Sequence, residues 1–156
     1  IVPKAAEAHE LAAVSKLTRA RRNYDEFAIR RETLASQYQW FMETQPPHDA
    51  IEVIVHAVRK AAERGDMRVE VFRFASEYCQ DRGRRINCCE PDWPDSLNGL
   101  AASYYKLLRC EFYPHGFVIG AEIATWPQLL PGDVSLYISW ERAAIPGATQ
   151  SPLPVF

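Results

Sequence analysis

No proline or glycine falls between Ala5 and Thr44, and nothing else in the chain constrains its fold as strongly. The residues that most readily break a helix are missing from a stretch rich in alanine, arginine and glutamate. Within it Ala13, Leu17, Ala20, Tyr24, Phe27, Leu34, Tyr38 and Phe41 recur on alternating steps of four and three. On a helix that spacing draws a heptad-like stripe. Arg31 is the one seam position that breaks it. One long helix is predicted, and Asn23 or Asp25 can cap a bend near its middle. A stripe of alanine and aromatics suits packing on a second helix or a globular body better than a leucine zipper.

Pro46-Pro47 ends this helix, because the residue before a proline is driven out of the α region. Proline is tolerated in a first helical turn, so a second helix can follow at once. Ile51, Ile54, Val58 and Ala61 share one face of it, and Gly65 is placed to end it as a left-handed cap. The pair reads as an antiparallel helical hairpin. The second helix is much the shorter, so part of Ala5–Tyr24 lacks an intrachain partner. Its stripe is expected to meet the body, a second copy or another protein.

Met67–Phe74 reads as a strand, with Met67, Val69 and Val71 on one side and Phe72 and Phe74 on the other. A helix is predicted over Leu97–Tyr113, capped by Asp92 or Asp95 with Pro94 in its first turn. Pro114-His115-Gly116 stops it. Phe117–Trp126 and Asp133–Trp140 read as a hairpin joined by PQLLPG. In the second strand Val134, Leu136, Ile138 and Trp140 alternate inward, and Ser135, Tyr137 and Ser139 outward. The order α-α-β-α-β-β is that of an α+β fold. It implies a small, mainly antiparallel three-stranded sheet with one packed helix. We read a helical arm over 1–46, a body over 47–142 and a proline-rich tail over 143–156, all within a single domain. The tail's Leu153, Val155 and Phe156 are candidates to lodge on the body or a neighbour. With 47% hydrophobic residues, the chain can bury a substantial core.

Between the first strand and the following helix lies Ser76–Asp95, SEYCQDRGRRINCCEPDWPD. A polar connection of this length is often functional. Ser76 can cap a short helical turn running to Gly83, and Ile86 can anchor the segment. Arg82, Arg84 and Arg85 form the sharpest local signal, since guanidinium groups grip phosphate or carboxylate bidentately. In an anion site Asn87 would orient the ligand and Trp93 would stack on it. Against this, Asp81, Glu90, Asp92 and Asp95 lie close enough in sequence to pair with the arginines, and Trp93 reads more naturally as a core plug. Cys79 with His115 as base is the one nucleophilic pairing available. It matches no signature, and buried free cysteine is ordinary core material. The cysteines lack the paired spacing of a zinc site, and the histidines are scattered, so no metal or cofactor is expected. Adjacent Cys88 and Cys89 argue for reduced thiols.

A net charge of −2 gives no general pull toward nucleic acid. Arg19, Arg22 and Arg30 lie roughly on one face of the long helix, but Asp25 and Glu26 supply ordinary i,i+4 partners to Arg21 and Arg30. No apolar run is long enough to span a bilayer, and IVPKAAEAHE lacks the order of a secretory leader. A soluble, cytoplasmic chain is expected. Two functions remain. The first is a non-catalytic interaction or assembly domain, self-associating through Leu17, Tyr24, Phe27 and Leu34. The second is a domain that binds a small anionic ligand, or an enzyme, with its site in 76–95.

Overall fold

In the computed structural model, which describes residue 2 and residues 4–141, the fold is α+β with a three-stranded antiparallel sheet. The expectation for the tail over 143–156 lies outside the described residues. The chain divides into two compact units, Ile1–Gln39 and a second beginning at Trp40.

The first unit is a length of one helix. α1 runs unbroken over Ala5–Glu43, 39 residues, or roughly 58 Å at the standard rise. The helix is not interrupted at Asn23–Asp25. The hydroxyls of Thr18 and Thr33 donate to the carbonyls of Val14 and Ile29, so these side chains stay compatible with the helix.

The second unit opens on the last turn of α1. There Phe41 is buried, and its ring stacks on Tyr78, Phe74 and Phe72 with centroids 4.5, 5.9 and 6.4 Å away. α2 follows over Ala50–Glu63 and ends as predicted. Gly65 takes φ 85, its N–H donates to Ala62 O, and the Asp66 N–H reaches back to Ala61 O. This paired return of bonds is the Schellman arrangement. The apolar face that the sequence assigned to a helical hairpin packs against the first strand within this unit.

β1 (Arg68–Ala75), β2 (Val118–Ile123) and β3 (Asp133–Ser139) pair antiparallel in the order β1-β3-β2. In β1 the register shifts between Glu70 and Phe72, leaving Val71 as an extra residue. The predicted sidedness of β1 is corrected by this bulge. Val69, Phe72 and Phe74 pair with Ile138, Leu136 and Val134, all three of which are fully buried. A bulge flips the alternation, so phenylalanines expected on the far side turn to the core.

β3 lies in the centre, and its second face is not open water. Ser135, expected to point outward, is buried, and its hydroxyl donates to the Glu70 carboxylate at 2.6 Å. Arg73 grips the same carboxylate at 2.9 Å. Further along, Arg68 of β1 reaches Glu122 of β2 at 2.6 Å and lies over the Tyr137 ring of β3 at 4.5 Å. The first cluster ties β1 to β3, and the second ties all three strands.

Hydrogen bonding from Arg73, joined by Ser135, holds the Glu70 carboxyl below its ordinary value of 4.5 against the opposing effect of burial. A lowered folded pKa adds stability that is present above the unfolded value and lost as pH falls through the folded one. Resistance to urea unfolding is therefore expected to fall as pH drops below 4.5. Glu70→Gln should flatten that part of the acid slope. An unchanged slope would refute the assignment.

α4 covers Gly99–Glu111 and packs on β1 and β2. It starts later than predicted. Asp92 and Asp95 belong to a separate 3₁₀ turn, Trp93–Ser96, and Asn98 holds the N-cap position. The Asn98 amide donates to Tyr78 O at 3.0 Å, tying the start of α4 back to the crossover and not to its own helix.

Candidate functional site

The first candidate is the stripe on α1. Leu17 and Tyr24 are 72% and 73% exposed, Phe27 is 46% exposed, and Leu34 is half-buried. Off the stripe, Leu11 and Ile29 are exposed as well. The described residues of the unit 1–39 contain one helix and no second element. Leu17, Tyr24 and Phe27 have no second element of that unit to cover them among the described residues. Isolated helices draw little stability from propensity alone and depend on a packed face.

The second candidate, Ser76–Asp95, has more structure than its composition suggests. It contains a 3₁₀ turn over Ser76–Tyr78, the short helix α3 (Arg84–Asn87), and the turn at Trp93–Ser96. Asp81 organises its centre. One carboxylate oxygen accepts the Gly83 N–H and the other the Arg85 N–H, each at 3.0 Å. Arg82 is exposed and, at φ 56, takes the left-handed conformation together with Gly83.

Arg84 and Arg85 are each engaged by carboxylates of the crossover itself. Arg84 binds Glu90 at 2.6 Å. The guanidinium of Arg85 sits 3.7 Å from both Asp81 and Asp92. The Glu90 contact raises the Arg84 pKa further, as expected for a cation held by its own loop. Asn87 is exposed at the end of α3. Trp93 is 1% exposed, with its ring edge-on to Tyr105 at 5.4 Å. The core places it beyond the reach of a ligand arriving from solvent.

Cys79 is buried, and burial, reinforced by the charge of Asp81, pushes its thiol up to about 12. A nucleophilic cysteine needs the opposite shift. The thiolate that a Cys79–His115 pairing requires is therefore absent near neutral pH, and His115 lies exposed in the 3₁₀ turn after α4. Cys79, Cys88, Cys89 and Cys110 are free. Among the described residues no cluster of three or more His, Cys, Asp or Glu side chains could hold a metal ion, and no helix is long and apolar enough to cross a membrane.

One exposed apolar group escaped the sequence reading. Trp126, Leu129 and Leu130, at the tip between β2 and β3, are 49%, 90% and 55% exposed. The paired prolines of WPQLLP were the available signal, since they force a tight loop that cannot fold its side chains back onto the sheet. Gln128 and Leu129 both adopt positive φ there.

No protein-family model, curated protein or solved structure matches this chain.

Proposed function

We propose that the protein is a non-catalytic interaction module that docks through the stripe on α1. One observation carries this reading. A helix of 39 residues exposes Leu17, Tyr24 and Phe27 in heptad spacing, within a unit that has no element to cover them. An apolar strip of that kind marks a contact surface more often than it marks bare solvent. The state of the crossover agrees: Arg84 and Arg85 are engaged by Glu90, Asp81 and Asp92, the residues that would otherwise leave them free for an anion. Self-association, giving a mass twice 17.8 kDa, is one form this docking can take. Docking of a different helix is the other.

Hydrogen exchange tests the docking itself. Addition of a synthetic helix with a leucine heptad seam is expected to slow exchange along the stripe of α1. Leu17→Asp with Phe27→Asp should abolish that protection while leaving exchange in the sheet unchanged. If α1 gains no protection from the peptide and the chain also fails to pair with itself, the reading is refuted.

A further inference from the structure

The stripe on α1 has two defined ends. Its alternating steps put Leu17, Tyr24, Arg31 and Tyr38 in one seam position and Ala13, Ala20, Phe27 and Leu34 in the other. One heptad before Leu17 the first position holds the acid Glu10. One heptad after Leu34 the second holds Phe41, which is already buried against Tyr78. The seam left for a partner therefore runs from Ala13 to Tyr38, roughly four heptads, the length at which paired helices become recognisable.

Read inward from both ends, this stretch is complementary to itself. Two copies laid antiparallel about a two-fold axis between Asp25 and Glu26 set Tyr38 against Ala13, Leu34 against Leu17, Arg31 against Ala20 and Phe27 against Tyr24. Each alanine meets a long side chain, the alternation by which facing layers interdigitate. Arg31 lies over a methyl group, so its stem can pack while its head stays in water. The borders bring no like charges together: Lys16 faces Gln37, Arg21 faces Ala28, Asn23 faces Arg30 and Val14 faces Ala35.

Other arrangements fit less well. In parallel, alanine meets alanine at positions 13 and 20, and the two Arg31 side chains meet inside the seam. An antiparallel slip of one heptad one way puts Glu10 against Leu34 and Arg21 against its own copy. A slip the other way spends Leu17 on the buried Phe41 and sets Arg31 against Phe27. The register that pairs Glu7 with Arg21 opposes Lys16 to Lys16 and leaves Phe27 and Leu34 beyond the start of the other helix at Ala5. We propose that the stripe docks a second copy of this chain, antiparallel, with Arg31 of each helix over Ala20 of the other. This rests on the docking reading above and names the partner for the same surface.

The test uses sedimentation of the full chain, which is expected to run as a dimer of twice 17.8 kDa. Residue 20 reports the register, because it is exposed and lies outside the unit that holds the sheet. In the proposed pairing Ala20→Glu attracts Arg31 of the other copy and Ala20→Arg repels it, twice per dimer. The Ala20→Glu dimer should be about tenfold tighter than the Ala20→Arg dimer, since two surface-strength pairs turned from repulsion to attraction supply roughly that ratio. Added salt should narrow the gap. In a parallel pair residue 20 meets its own copy, and the two variants weaken association alike. Equal strength for the two variants, or a tighter Ala20→Arg dimer, overturns the antiparallel pairing and leaves the docking reading standing. A monomer whose α1 is still protected by the leucine-seam helix overturns the second copy as partner and again leaves docking standing. A monomer that gains no protection overturns both.

Discussion

Trp93→Ala is expected to cost about 3–5 kcal/mol of folding stability, the usual range for emptying a large aromatic site in a core. Against a total of about 5–15 kcal/mol for a domain of this kind, that is a large share. Trp93 is 1% exposed and braced edge-on by Tyr105 at 5.4 Å. The Ser96 hydroxyl, fully buried, donates to the Trp93 carbonyl at 2.6 Å, so backbone and ring are fixed together. A fall in Tm of roughly 10 °C follows for a chain of this size. Trp93→Phe should recover part of it. A ligand-stacking tryptophan would behave otherwise, because its removal leaves stability nearly intact and abolishes binding. A loss below about 1 kcal/mol would therefore reopen the ligand reading of the crossover.

Gly99→Ala is the second large effect. A Cβ built there would stand 2.7 Å from the carbonyl oxygen of Phe41 and 2.9 Å from Cα of Met42. Both neighbours are backbone, held in place by the aromatic stack around Phe41, so neither can swing aside. Gly99 also has φ +50, where a side chain costs about 1–2 kcal/mol by itself. Forcing the backbones apart adds about 1–3 kcal/mol. Gly116→Ala is the control, because Gly116 has φ +89 but nothing within 4 Å of the added carbon. The two variants share the conformational cost and differ in the clash. Denaturant unfolding should find Gly99→Ala less stable by about 2 kcal/mol. Equal losses would show that the last turn of α1 and the start of α4 can separate at little cost.

These two sites also mark where the sequence could be read and where it could not. The long helix was legible because a break needs proline or glycine and none occurs between Ala5 and Pro46. The end of α2 was legible for a similar reason, since Gly65 is the residue a left-handed cap demands. The facing of Phe72 and Phe74 was not, because it depends on a bulge at Val71 that is visible only in the pairing with β3. Alternation carries no phase information across an extra residue. The crossover was legible as a set of opposite charges but not as a structure, since turns of three or four residues are too short to leave a period in the sequence. That Glu90 takes Arg84, while Asp81 and Asp92 share Arg85, follows from the fold of the loop around Asp81. The start of α4 was misjudged because Asp92 and Asp95 before it were both plausible caps, and the backbone chose Asn98.

The bulge in β1 has a bearing on the solution behaviour of the chain. β1 and β2 are the outer strands of this sheet, and a straight, greasy outer strand invites another molecule to add on by backbone pairing. β1 is kinked at Val71 and lined with Arg68, Glu70 and Arg73, so it is a poor template for fibril growth. At this edge, β1 is built to refuse a stranger's strand.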